Sequence, residues 1–147
     1  MNTPLTSTAS AIDPDTLQAY RATEYRVLGD PPFTLCIGEH SLPLAELHTA
    51  RRAASSAFIT ACNPRSTLLS EVENAQRQAL LAAELEEAGY ALLSGLGVDP
   101  TGDWPGEPSF LVLDIGREAA RTLSRQFNQN SLLWAGVDAV PQLLLLR

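Results

Sequence analysis

The segment from Ser70 to Gly89 constrains this chain more than any other. Ser70-Glu71-Val72-Glu73 has the spacing of a capping box, a run of Ala, Leu, Glu and Gln carries the helix onward, and Gly89 stops it. Leu81, Leu85 and Ala88 follow one another at steps of four and three, so they share a face that needs a sheet to cover it. Traced backwards, the stripe meets Arg77 and, a fraction of a turn away, Asn74. Inward polar groups are costly unless something satisfies them, so the N-terminal end of this helix needs partners.

The chain enters that helix from "FITACNPRS", residues 58 to 66. Ala57 to Cys62 reads as a strand, apolar on both faces and therefore interior, and Asn63, Pro64, Arg65 and Ser66 break it. Asp13-Pro14 opens an earlier helix with an N-cap and a proline at the first helical position. "EYRVL" and "FTLCIG" read as an antiparallel hairpin, with "GDPP" too proline-rich for a two-residue turn. "PLAELHTARRA" reads as a short helix. "YALLSG", "SFLVLDI", "SLLWAGV" and "QLLLLR" read as strands, and "REAARTLSRQF" as a helix with Ala120, Leu123 and Phe127 at core spacing. The expected fold is one α/β (α+β) domain over residues 12–147, after a flexible tail over residues 1–11. It has a mixed sheet of about six or seven strands and about four helices, in two or three layers.

Composition bounds the partners. A chain of 147 residues, 45% hydrophobic and 18% charged, can bury its own core without metal or disulfide. The net charge of −7 argues against nucleic acid. All ten cations are arginine, so an anion must meet Arg, backbone amides or neutral donors. Cys36 and Cys62, each inside an expected strand, lack metal-ligand spacing with His40 or His48 and read as buried free thiols. No metal or other cofactor is expected. No apolar run reaches membrane-spanning length and the first residues lack a signal-peptide pattern, which makes the cytoplasm the expected location. The terminal "PQLLLLR", if it lies at a sheet edge, offers pairing with a second copy.

The candidate site sits where the strand ends and the helix begins, the usual place for ligands in open α/β folds. Asn63, Arg65 and Ser66 come from the loop, Asn74 and Arg77 from the helix, and the helix start adds free amides and a positive dipole that suit an anion. Glu107, ahead of the strand "SFLVL", is the natural internal partner for Arg77, as a structural lock or as a positioned acid/base group. Gln129, with Asn130, reads as a turn or helix cap that gains interest if it meets the Asn63 loop. Gly95 to Pro108 reads as a long loop with Trp104 pinning it or closing over a ligand. "GLG" within it lacks the rest of a phosphate-binding motif, and Ser66 lacks an evident histidine base.

The run "FITACNPRS", then Asn74 and Arg77, then "DPTGDWPGEPSFLVL", "RQFNQNSLLWAG" and "LLLLR", resembles the proteobacterial family called domain of unknown function 3293. The resemblance spans roughly residues 20 to 147 and matches the family's polar pattern at Asn63, Pro64, Ser66, Asn74, Arg77, Glu107 and Gln129. It implies a fold and a bacterial cytoplasmic origin, and no activity. Two functional classes stand against each other. One is a small-ligand protein, an enzyme or a simple binder, that binds a nucleotide-like, phosphate or carboxylate anion around Asn63 and Arg77. The other is a protein-interaction or structural module in which Arg77 and Glu107 lock together.

Overall fold

The computed structural model describes residues 11–147, so the expected tail lies outside the described residues except for an exposed Ala11. Among the described residues there are four α-helices: α1 (Pro14–Ala22), α2 (Leu42–Arg51), α3 (Glu71–Glu87) and α4 (Arg117–Gln126). Seven strands, β1 (Glu24–Val27), β2 (Phe33–Leu35), β3 (Ser56–Ile59), β4 (Ala91–Val98), β5 (Glu107–Leu113), β6 (Ser131–Ala135) and β7 (Gln142–Leu145), form one curled sheet in the order β2-β1-β4-β5-β3-β6-β7. This is the single α+β domain the sequence implies.

The pairing differs from expectation. Every described pair is antiparallel, where a mixed sheet was expected. The reason lies in two interleaved crossovers. Helix α3 joins β3 to β4, but β5 lies between those strands; α4 joins β5 to β6, but β3 lies between those. Strands that run in the same direction are thereby kept from touching. The unit β3-α3-β4-β5-α4-β6 is a split β-α-β arrangement of the ferredoxin-like type, extended by the β1–β2 hairpin on one side and β7 on the other.

Both sheet faces are covered, which gives three layers. Ala57 and Ile59 of β3 pack with Leu81 and Leu85 of α3 and Ala120 of α4. Phe58, on the opposite pleat, joins Leu44 of α2, Val27 and Leu133. All four β3 residues are buried, as an interior strand requires. The capping box at Ser70 is complete: Ser70 Oγ accepts from Glu73 N, and Glu73 reaches back to Ser70 N.

Two further expectations need correction. The expected 95–108 loop is shorter than that span, because Gly95 to Val98 belong to β4 and Glu107 and Pro108 to β5, which leaves residues 99–106 as the connection. The remaining connection is held by Asp99, whose carboxylate accepts from Thr101 N and Trp104 N. Neither cysteine lies in a strand. Cys36 follows β2 and is exposed, while Cys62 follows β3 and is buried; both are free. No described helix is long and apolar enough to cross a membrane.

Candidate functional site

Antiparallel register assembles one polar corner. β5 and β6 flank β3 and run against it, with Phe58 opposite Leu111 and Leu133. The segments leading into β5 and β6 therefore meet the segment leaving β3. Glu107, the first residue of β5, and Gln129, just ahead of β6, both arrive beside Cys62 and Asn63. Helix α3 starts from the same loop and lays Asn74, Arg77 and Gln78 over it.

Asn63 is the hub. It is 5% exposed and sits in the left-handed region (φ 47°, ψ 63°), which asparagine tolerates better than most residues. Its backbone N–H donates to Asn74 Oδ1 (2.9 Å), and its Oδ1 accepts from Asn74 Nδ2 (2.8 Å) and Leu69 N (3.0 Å). Its Nδ2 donates to Glu107 Oε2 (2.8 Å). Every hydrogen-bonding direction of the side chain but one is thus used to join the loop, α3 and β5.

Arg77 does not pair with Glu107. The described ion pairs are Arg26–Glu24 and Arg121–Glu118. Arg77 Nε instead donates to Ala61 O (2.6 Å), Nη2 donates to Phe127 O, and the guanidinium lies 5.9 Å from the centre of the Phe127 ring. The reason is local. The β3–β6 ladder ends before Ala61 and Phe127, which leaves their carbonyls to be satisfied, and Asn63 occupies Glu107. Gln129 completes this clasp, donating from Nε2 to Cys62 O (3.0 Å) and Phe127 O (3.3 Å).

The two remaining candidates stand apart. Ser66 Oγ lies 2.5 Å from Tyr20 Oη and accepts from Asn130 Nδ2 (3.1 Å), forming a second polar patch. Arg65 is exposed; among the described residues its backbone alone is engaged, N–H to Asn128 O (2.8 Å). Arg65 and Ser66 also hold positive φ (52° and 58°), so three of four consecutive residues occupy a region that side chains disfavour. Asn63 stands at the N-cap of the short 3-10 turn Pro64–Ser66 without a side-chain cap bond, its Oδ1 reaching Leu69 N instead, while Gln129 does meet its loop.

Burial sets the chemistry of the corner. It raises the Glu107 carboxyl to about 7, against the opposing hydrogen bond from Asn63. It also pushes the Cys62 thiol up. Oε2 of Glu107 is held by Asn63, while Oε1 meets no donor among the described residues. The sequence reading missed Gln78, whose Oε1 accepts from Ala61 N (2.8 Å), and Thr60, which donates to Pro108 O (2.7 Å). Gln78 lies four residues after Asn74 and three before Leu81, so helical spacing could have found it. Tyr20 has no local signal at all.

A family model described as Protein of unknown function (DUF3293) matches residues 59–132, half of the chain, from the end of β3 into β6. No curated protein and no solved structure matches.

Proposed function

The chain belongs to the family described as Protein of unknown function (DUF3293), and we propose that its polar corner binds a small anionic ligand of the phosphate or carboxylate class. The observation that carries the reading is the state of Glu107. One oxygen is fixed by a buried asparagine, the other meets no donor among the described residues, and burial raises the group to about 7. A carboxyl held neutral donates a hydrogen bond to an anion where a carboxylate would repel it. The charge would come from Arg65, whose exposed guanidinium lies outside the corner in the structure but sits two residues after Asn63 and would have to turn toward Glu107 on binding. Arg77 serves the site from behind, by holding Ala61 and Phe127, rather than by clamping the ligand.

A second reading has its own support. The hydrogen bonds of Asn63, Asn74, Arg77 and Gln129 are largely made within the chain, which suits a structural clasp with no ligand. Carbon-detected NMR of the Glu107 carboxyl, titrated with orthophosphate, nucleoside monophosphates and dicarboxylates, separates the two. Ligand binding predicts a saturable shift at Glu107 that Arg65→Ala weakens. A carboxyl that ignores every anion leaves the clasp.

A further inference from the structure

A second feature, on the helical face of the sheet, points to a different kind of partner. Between α3 and α4 lies a cleft of about 760 Å³, open to solvent. Its floor is apolar: Leu85 and Ile115 are fully buried beneath it, and Tyr90 and Leu123 pack against the core with part of their surfaces exposed. Its rim carries Glu84, Glu87 and Glu118, and no arginine lines it. Glu118 is paired with Arg121, but Glu84 and Glu87 form no ion pair among the described residues.

The placement of those two glutamates is unfavourable for the helix that carries them. Glu84, Glu86 and Glu87 occupy the C-terminal end of α3, where the backbone dipole is negative, and its last turn holds no basic residue. Carboxylates stabilise helix starts and destabilise helix ends. The same helix carries a complete capping box at its start and an apolar stripe through Leu81 and Leu85. A local violation amid such consistency is characteristic of functional surfaces.

We propose that this cleft is a docking groove for a cationic amphipathic peptide segment of a partner protein. Apolar side chains of the segment would cover Tyr90, Ala119 and Leu123, and its Lys or Arg side chains would meet Glu84, Glu87 and the negative end of α3. Charge complementarity selects a cation, since the rim and the helix end carry the same sign. The open shape selects a segment over a small molecule, because small-ligand sites enclose most of their ligand.

The test uses the full chain and a fluorescein-labelled amphipathic helical peptide, with leucines on one face flanked by lysines. Binding is read by anisotropy at low and high salt, and mapped by amide NMR. The proposal expects saturable, salt-sensitive binding with shifts centred on Tyr90, Ala119 and Leu123. Reversal of the exposed rim by Glu84→Lys and Glu87→Lys should cut affinity about tenfold, yet raise the thermal midpoint, since it relieves the helix end. A glutamate-substituted peptide should then bind the reversed variant better than the original. No binding, shifts elsewhere, or an affinity that survives charge reversal would overturn the proposal. Spermine alone producing the same shifts at the same affinity would also overturn it, in favour of a small polycation.

Discussion

Asn63 holds Glu107 through a single 2.8 Å hydrogen bond from its amide, and that bond fixes a carboxyl that burial keeps neutral to about pH 7. The relationship is asymmetric. Asn63 has three other bonds to α3 and to its own loop, whereas among the described residues the Glu107 side chain has this one. Glu107 therefore depends on the corner, and the corner is built without it.

The first expectation concerns pH. Glu107 has a folded-state value of about 7 against the ordinary 4.5, so the folded chain holds a proton that the unfolded chain has released. Its contribution to stability is complete below about pH 4.5 and is lost as pH rises to about 7, by at most roughly 3 kcal/mol. Glu107→Gln should remove this slope and leave the variant more stable than the original above pH 7. Urea unfolding from pH 4.5 to 8 checks it; an unchanged slope would assign the effect elsewhere.

His48 should act in the opposite sense. It is buried in α2, with Nε2 2.8 Å from Ser56 Oγ, and burial lowers its basicity. The unfolded chain binds a proton at about pH 6.5 that the folded chain resists, so this part of stability is present above that pH and lost below it. A proton-NMR titration of the ring should give a folded value below 6.5. A value above it would contradict the assignment.

Asn63 can be dissected by two substitutions. Asn63→Gly removes the side chain but suits the positive φ; Asn63→Ala removes the side chain and strains the backbone as well. Both leave Leu69 N, Asn74 Nδ2 and Glu107 short of partners, which should cost about 2–4 kcal/mol. Alanine should cost about 1 kcal/mol more than glycine. Equal losses in thermal unfolding would mean that the left-handed backbone carries no strain.

Arg77 and Glu107 should be uncoupled. Arg77→Ala strands the carbonyl of Ala61, removes one of two donors to Phe127 O and should cost about 1–3 kcal/mol, whether or not Glu107 is present. A double-mutant cycle with Glu107→Gln should give a coupling below about 0.5 kcal/mol. A value of several kcal/mol would restore the direct lock.

Gly95 provides a packing test. A Cβ at this position would lie 2.7 Å from Phe58 Cε2 and 3.2 Å from Arg26 O, and Phe58 is itself held edge-on to Tyr25 at 5.5 Å. Gly95→Ala should cost about 1–3 kcal/mol through overpacking. Adding Phe58→Leu should recover part of that loss. The "GLG" sequence thus marks close packing inside β4 rather than a loop for phosphate.

The sequence made α3 legible from cap to stop, because its capping box and stripe are local signals. It made β3 legible as interior, because both of its faces are apolar. The meeting of Asn63, Asn74, Glu107 and Gln129 could be anticipated as a set, but its wiring could not. Arg77 turns to carbonyls rather than to Glu107 because the β3–β6 ladder stops short of Ala61 and Phe127, and ladder lengths are set by pairing between distant segments. The antiparallel sheet was illegible for the same reason: a helix between two strands suggests neighbours, and only the tertiary fold inserts β5 and β3 between them. Tyr20 joins Ser66 across forty-six positions with no periodicity to announce it.

The interleaving of the two crossovers also governs when the chain can fold during synthesis. β3 is translated early, but its neighbours β5 and β6 are not complete until residues 113 and 135 have been made. Before β5 is made its apolar segment has no ladder, before β6 it has one on one side, and α3 meanwhile has an unfinished floor to pack on. A nascent chain therefore stays open until most of its length has emerged, a period in which Ala57 to Ile59 are accessible to chaperones. A released chain truncated just before β6 should be protease-sensitive, and one that continues through β7 should not.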